Sequence, residues 1–269
     1  MVKDLEFKQK KVNHVFHYTR RFDWLQKILL NGFAPSYCLE EINGNKFFIP
    51  MVSFCNIPLK DVDNYMHYGK YGIGMSMEWA IRECLSPVIY LHENTPFRGI
   101  YDFISDLSFN QFIKKAFHDS FHEVLGQLDN NKYPLGKEEI IELNDFSFRI
   151  VQFFKNWKTI YQGNEIITYH EREWRYIPNL NEKKRLIDGK DPEFELYNEK
   201  DRIKKPHLPE HSLRINDLSD IKYITIQKEN QREEIIKVLC KKFNKNYVEE
   251  SLVGGRLLIL TESQLHDDF

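Results

Sequence analysis

The chain has 269 residues, a formal net charge of −2 and 42% hydrophobic residues, with 20 phenylalanines and 14 tyrosines. This composition is typical of a folded protein with a large core and excludes an intrinsically disordered chain. The charge excludes a chain that attracts nucleic acid over its whole surface, although a local basic groove stays open.

The cysteines and the N-terminus indicate a compartment. Four cysteines lie far apart without a C-x-x-C pair, which favours free thiols in a reducing environment over disulfides or a zinc site. The segment Met1–Asp4 is charged and does not resemble a signal peptide, and no apolar run approaches the ~20 residues that span a bilayer. We therefore expect a soluble, cytoplasmic protein without membrane contact.

The chain begins with a predicted strand and helix. Alternation over Val12–Thr19 predicts a strand on which His17 and Thr19 share one side and Tyr18 takes the other. Gly32 is placed to end the following helix as its C-cap. The apolar positions of this helix are Trp24, Leu25, Ile28 and Leu29.

Two further strands are predicted before residue 80. Phe47–Phe54 is a strand in which Pro50 predicts a bulge or an edge position. Tyr68–Met75 contains three glycines among tyrosines, which predicts a turn and a strand that approaches another group closely. The flanking tyrosines favour a ligand wall over a simple tight turn. A short helix over Met77–Cys84 and a buried strand over Pro87–Leu91 follow.

The middle of the chain predicts an insertion. From about residue 101 to 163 the apolar spacing becomes helical, with one helix near Phe112–Leu125 and a second over Ile140–Trp157. His118 and His122 lie four residues apart, but the sequence offers no third ligand, so no metal site is predicted.

The last third of the chain begins with a polar stretch. Residues 183–209 contain three prolines and predict a long excursion. A strand over Ile221–Ile226, a helix over Gln231–Phe243 and a short strand over Leu257–Leu260 complete an α+β domain.

The segment Glu171–Tyr176 carries the clearest chemical signal. If it is a strand, alternation places Glu171, Glu173 and Arg175 on one face. Two carboxylates beside a cation suit a site that stabilises a developing positive charge or orients a hydroxyl. The alternative is a half-exposed strand whose charges pair with its neighbours.

Four short motifs occur in a fixed order along the chain. They are His17-Tyr18-Thr19, Val52-Ser53-Phe54, Tyr68-x-x-Tyr71-Gly72-Ile73-Gly74 and Glu171-x-Glu173-Trp174-Arg175. In that order they are similar to the AbiGi group of abortive-infection proteins, which are encoded in bacterial phage-defence operons. They also resemble the ADP-ribosyltransferase fold, including DNA-modifying toxins with an H-x-T strand before a helix like Leu25–Gly32.

This resemblance implies a fold and a substrate. It covers roughly residues 13–100 and 164–180, and it implies a single α+β domain over 1–269 with a split mixed β-sheet of the ADP-ribosyltransferase type. The substrate implied is NAD, whose nicotinamide–ribose bond is cleaved. The acceptor of ADP-ribose is then a nucleic acid, a protein or water.

The resemblance also assigns roles to residues. His17 and Thr19 hold the adenosine-side ribose, and either Tyr68 or Tyr71 stacks on nicotinamide. Glu173 stabilises the oxocarbenium-like transition state. The remaining assigned residues are Glu171, which selects or activates the acceptor, and Tyr18 and Ser53, which complete the cofactor site. The charge of a pyrophosphate calls for cations, and Arg20, Arg21 and Arg175 are the candidates.

Alternatives stay open at the level of function and of single residues. The AbiGi group has also been described as an antitoxin, so a second interpretation is an inactive transferase-like antitoxin or sensor that binds a partner protein of its operon. A nuclease is a weaker alternative, because no acidic metal cluster is evident. For His17 and Ser53 the competing interpretation is a core side chain satisfied by neighbouring groups.

Overall fold

The computed structural model describes residues 12–42, 44–59, 61, 68–95, 146, 149–161, 163–180, 186–189, 194, 197 and 207–268. The predicted helix near Phe112–Leu125 and the histidines His118 and His122 lie outside these residues, as does most of the helix predicted over Ile140–Trp157. The later part of that second helix is described.

The predicted N-terminal strand and helix are confirmed. β1 spans His14–Thr19 and α1 spans Phe22–Asn31. Gly32 follows α1 with φ +87°, and a Cβ atom there would lie 2.1 Å from the carbonyl oxygen of Leu213. Only glycine fits this C-cap, because both the backbone conformation and the space exclude a side chain.

The other elements follow in chain order. The strands are β2 Ser36–Ile42, β3 Asn45–Cys55, β4 Tyr71–Ser76, β5 Ser86–Pro87, β6 Ile89–Leu91, β7 Phe154–Asn156, β8 Lys158–Tyr161, β9 Asn164–Ile167, β10 Glu173–Tyr176, β11 Ile187–Asp188, β12 Ile221–Ile226 and β13 Leu258–Thr261. The helices are α2 Met77–Arg82, α3 Arg232–Lys242, α4 Lys245–Val253 and α5 Glu262–Asp268.

Nine of these strands form one mixed sheet. Its order is β13-β12-β4-β1-β3-β10-β5, and β2 and β11 also pair with β3. β12 and β13 are parallel, whereas the other pairs are antiparallel. β3 is the longest of these strands, and its register with β2 continues through Pro50, so the predicted bulge is wrong. On the other side of β3, the described pairs with β11 end at Phe48 and those with β10 begin at Val52, so Pro50 lies between them, as expected of an edge position.

The two faces of the sheet are covered differently. On one face, called here the helical face, side chains such as Val15, Phe54 and Ile73 pack with residues of α1, α2, α3 and α4 in the largest core cluster. On the other, called here the strand face, Phe47, Ile49 and Met51 pack with Leu91 and Phe154 of the β6–β7 pair. On this face Leu265 of α5 also packs with Phe16 and Ile57.

Two predicted segments differ from the structure. The helical insertion was expected to reach about residue 163, but the strands β7 and β8 occupy its end. Phe154 is buried in a strand that pairs in parallel with β6, and the β-branched Thr159 and Ile160 that follow favour an extended chain. The strand predicted over Pro87–Leu91 is divided between β5 and β6, which pair with different strands.

The polar excursion over 183–209 contributes to the core where it is described. β11 pairs with Phe47 and Phe48 of β3, and Leu186, Ile187 and Leu208 are buried. The sequence does not reveal this contribution because the few apolar residues of the excursion are separated by many polar ones. None of the helices among the described residues is long and apolar enough to cross a membrane.

Candidate functional site

The predicted strand over Glu171–Tyr176 is shorter than expected. A 3-10 turn covers Thr168–Glu171, Arg172 has left-handed backbone angles with φ +44°, and β10 begins at Glu173. Glu171 is therefore not on the strand, and strict alternation is the wrong reason to group it with Glu173. The turn nevertheless brings both carboxylates to the same amine.

That amine belongs to Lys155 of β7. Its Nζ donates hydrogen bonds to Oε2 of Glu171 at 2.8 Å and to Oε2 of Glu173 at 2.7 Å. The side chain is only slightly exposed, and both carboxylates are buried. Lys155 was missed from the sequence because it lies in the part predicted to be an inserted helix. The sequence signal that could have revealed it is a single lysine directly after two phenylalanines, Phe153 and Phe154.

Glu173 has all of its hydrogen-bonding capacity filled. Glu173 is buried, with only 3% of its surface exposed. Oε1 accepts from Oγ of Ser53 at 2.7 Å and from Nε of Arg175 at 2.8 Å. Oε2 accepts from Lys155 and, at 3.3 Å, from Nη2 of Arg175. A carboxylate offers about four lone-pair positions, so four donors saturate it.

Arg175 is satisfied in the same way. It is fully buried, and besides Glu173 its guanidinium donates to the carbonyl oxygens of Gln152 at 2.7 Å and Phe154 at 3.4 Å. Its Nη2 also lies 3.2 Å from Oε2 of Glu40 on β2. These acceptors match the five N–H groups of a guanidinium, so in this arrangement no donor remains for a pyrophosphate.

We call Glu40, Lys155, Glu171, Glu173 and Arg175 the ion cluster. Three carboxylates oppose two cations, which leaves a formal charge of −1. Burial alone would raise the pKa of Glu173, but the charges of Arg175 and Lys155 outweigh it and hold that pKa well below its usual range. Burial would lower the pKa of Lys155, but the surrounding carboxylates raise it well above its ordinary value. Both groups stay charged.

Two tyrosines border the ion cluster. The hydroxyl of Tyr68 donates a hydrogen bond to Oε1 of Glu171, and the hydroxyl of Tyr90 accepts one from the backbone N–H of Glu173 at 2.8 Å. Burial, followed by the charge of Glu171, raises the pKa of Tyr68, so its hydroxyl stays protonated and remains a donor. Tyr90 was not predicted from the sequence.

The residues predicted to hold the adenosine side of NAD lie elsewhere. Cys55 is the register partner of both Phe16 and Glu173, which places these three side chains on the strand face. His17 is therefore on the helical face, where its ring contacts Phe33 and Phe54. Thr19, two residues further along β1, shares that face with its register partner Tyr71.

His17 has the environment of a core histidine. Its Nδ1 lies 3.0 Å from the carbonyl oxygen of Ser53, to which it donates. Burial lowers the pKa of His17 more than this hydrogen bond raises it, so the ring is held neutral. The hydroxyl of Tyr71 donates to Gln227 at 3.3 Å and accepts from Gln231 at 3.1 Å. Both side chains have partners within the helical face.

The glycines of the Tyr68–Met75 motif allow aromatic rings to pack on β4. A Cβ atom at Gly72 would lie 3.0 Å from the ring of Tyr18, and one at Gly74 would lie 2.8 Å from the ring of Phe16. The predicted close approach is confirmed, and the groups approached are the protein's own side chains. Tyr18 also stacks on Phe16, with ring centroids 5.7 Å apart.

The structure thus divides the nine predicted site residues. Five of them are joined by hydrogen bonds around the ion cluster: Ser53, Tyr68, Glu171, Glu173 and Arg175. Tyr18 lies on the same face under its aromatic neighbours, whereas His17, Thr19 and Tyr71 are on the opposite face. Among the described residues, no group of three or more His, Cys, Asp or Glu side chains is placed to hold a metal ion.

Comparison with known proteins identifies the family. A family model described as abortive phage resistance protein AbiGi, antitoxin, matches residues 31–227. The abortive phage resistance protein AbiGi of Lactococcus lactis subsp. cremoris is 23% identical over 272 residues, covering 86% of this chain and 98% of the relative. No solved structure matches the chain. The family match contains the whole ion cluster and begins after His17 and Thr19. The chain belongs to the AbiGi family of abortive phage resistance proteins.

Proposed function

We propose that this protein is the antitoxin of an abortive-infection system and that it acts by binding a partner protein, without catalytic turnover. The observation that carries the proposal is the saturation of Glu173 by four internal donors. A glutamate that stabilises a developing positive charge on a sugar has to face the substrate. Here the carboxylate faces Lys155, Arg175 and Ser53.

The distribution of the predicted cofactor residues supports the same function. An NAD molecule held by His17 and acted on by Glu173 would have to reach both faces of a hydrogen-bonded sheet. The helical face around His17 is filled by Phe33 and Phe54. The description of the family as an antitoxin agrees with a binding role.

A second candidate function is cleavage of the nicotinamide–ribose bond of NAD. The observation that favours it is the convergence of Ser53, Tyr68 and Glu171–Arg175, which lie far apart in the chain, on one network. For this reaction Lys155 and Arg175 would have to release Glu173 when substrate arrives. ADP-ribose would then pass to a macromolecule or to water.

One experiment separates the two functions. The purified protein is titrated with NAD by calorimetry and then assayed for free nicotinamide. In parallel, cells expressing the protein encoded beside it in its operon are tested for growth with and without this chain. We expect no NAD binding, no nicotinamide and restored growth.

Release of nicotinamide by the wild type, lost in a folded Glu173→Gln variant, would replace the antitoxin proposal with the enzymatic one. Glu165→Gln is the matched control, because Glu165 is an exposed carboxylate on β9. Circular dichroism confirms that each variant is folded.

A further inference from the structure

The strand order of the nine-stranded sheet ends at β13 on one side and at β5 on the other. Within the described residues, no further strand pairs with the outer side of either one. An open strand edge presents unpaired N–H and C=O groups, and such groups recruit strands from other chains. The structure of these two edges therefore determines whether another chain can extend the sheet.

The edge at β5 is closed by a proline. β5 spans only Ser86–Pro87. The N–H of Val88 donates to the carbonyl oxygen of Glu173 of β10 at 3.0 Å, and backbone groups alternate in direction along a strand. The backbone of Pro87 therefore points away from β10, where a further strand would need an N–H group that proline lacks.

The register of the sheet determines which backbone groups of β12 face β13. The N–H of Met77 donates to the carbonyl oxygen of Asn13 at 3.0 Å, and bonded pairs alternate along an antiparallel ladder. Along β4 the odd-numbered residues therefore bond to β1, which leaves Gly72 and Gly74 to bond to β12. In β12 the same alternation turns the backbone groups of Ile224 toward β13.

Side chains already bond two of the outward groups of β13. Ile259 lies opposite Ile224 in the parallel pair, so its own backbone groups point away from β12. Nη1 of Arg232, at the start of α3, donates to the carbonyl oxygen of Ile259. Thr261 lies two residues further and faces the same way, and its N–H donates to Oε1 of Gln264 at 3.0 Å. These side chains thus occupy positions that a further strand would take.

Both of these side chains are held in place. Glu229 accepts from Nε of Arg232 at 2.5 Å and from Nη2 at 3.0 Å, and such a two-pronged ion pair fixes the orientation of a guanidinium. Nη2 of Arg232 also donates to Oε1 of Gln264 at 3.4 Å. The N–H of Gln264 donates to Oγ1 of Thr261 at 3.3 Å, which completes a capping box at the start of α5. We call Glu229, Arg232 and Gln264 the edge clamp.

β13 has no protection of its own. Its sequence is Leu258-Ile259-Leu260-Thr261, without a charged residue or a proline. Charged side chains and prolines are the usual means of protecting an edge, and uncharged aliphatic strands without them pair readily with other chains. The protection of this edge therefore depends on the residues of α3 and α5 that reach over it.

We infer that the edge clamp is an autoinhibitory contact that closes β13 against strand addition by a second copy of this chain. Releasing it exposes the carbonyl oxygen of Ile259 and the N–H of Thr261 to the β13 edge of another molecule. This inference goes beyond the proposed function, because it holds for a binding protein and for an enzyme alike.

The test measures self-association of the purified chain by sedimentation velocity over a range of concentrations. The open-edge variant combines Arg232→Met with Gln264→Leu, which keep side chains of similar size and remove both edge bonds. We expect it to self-associate at protein concentrations at least about tenfold lower than the wild type does. Lys237→Met, on the same helix, removes an exposed ion pair with Glu233 and should leave self-association unchanged.

A rescue variant separates pairing at β13 from aggregation of unfolded chains. Leu258 is 38% exposed on β13, and a lysine on an edge strand opposes pairing. Adding Leu258→Lys to the open-edge variant should return self-association to the wild-type level. Circular dichroism shows whether each variant is folded. If the open-edge variant is not, Gln264→Leu alone keeps the Arg232 bond and should still increase self-association by about threefold.

Two outcomes would overturn the inference. If the folded variants self-associate no more than the wild type, the edge clamp only supports the fold. If they self-associate and Leu258→Lys does not reverse it, the contact lies elsewhere than on β13. Neither outcome affects the antitoxin proposal, which binding to the protein encoded beside this chain tests separately.

Discussion

Replacing Lys155 with methionine tests the energetic role of the ion cluster. Methionine keeps an apolar chain of similar length and removes only the ammonium group that two buried carboxylates share. Removing one partner of a buried ion pair costs about 3–5 kcal/mol, because the remaining charge is left without compensation. We expect a loss of this size in the free energy of unfolding near neutral pH.

The assay is urea unfolding followed by tryptophan fluorescence at several pH values. The deficit should shrink as pH falls, because a buried carboxylate without its cation takes up a proton more readily in the folded state. A double variant with Glu171→Gln should recover part of the loss and give a coupling free energy of about 1 kcal/mol or more. Lys158→Met, which removes an exposed ion pair, should leave the unfolding midpoint unchanged.

Two results would refute this reasoning. One is a loss below about 1 kcal/mol for Lys155→Met, which would mean that the cluster is well hydrated in solution. The other is strict additivity with Glu171→Gln, which would mean that Lys155 and Glu171 do not interact.

Three further predictions concern other parts of the fold. Burial lowers the pKa of His17, so as pH falls the unfolded chain takes up a proton before the folded chain does. The free energy of unfolding should therefore decrease below about pH 6.5, by up to about 1.4 kcal/mol per pH unit for this group. In urea unfolding, His17→Asn should flatten that pH dependence. Gly32→Ala should destabilise the protein by about 2 kcal/mol or more, because the new Cβ atom would clash with Leu213. Gly44 also has a positive φ but has open space around it, so Gly44→Ala should cost only about 1 kcal/mol. Equal losses in thermal unfolding would contradict the steric explanation. Tyr68→Phe removes the donor to Glu171 and should cost about 1–3 kcal/mol, and an unchanged urea midpoint would show that water replaces the hydroxyl.

The sequence predicts local elements well where their signals are local. Helical spacing and a glycine C-cap define α1, and alternation defines β1, because each depends on neighbouring residues only. Pro50 does not produce a bulge, because the register of β3 with β2 continues through it, but it lies where β3 has no described partner on its other side. A helix was wrongly predicted at the end of the insertion, because the apolar residues around Phe154 fit a helix and a buried strand equally well.

The site is predicted only in part because its geometry depends on tertiary pairing. The carboxylates and Arg175 are evident as a motif, but their partners Lys155 and Glu40 come from strands whose pairing no local pattern reveals. The face occupied by His17 follows from the register of β1 with β3 and β4. A shared motif order therefore predicts membership of the family better than it predicts a shared binding site.

The position of β12 in the sheet has a consequence for synthesis. β12 pairs with β4, and Tyr223 of β12 packs at Gly74 of β4. The ribosome makes β12 about 150 residues after β4. While residues up to about 220 are being translated, β4 keeps one edge open, and open strand edges recruit other chains. A nascent or shortened chain lacking β12 is thus expected to aggregate or to be degraded, so the supply of folded protein depends on synthesis continuing past Ile226.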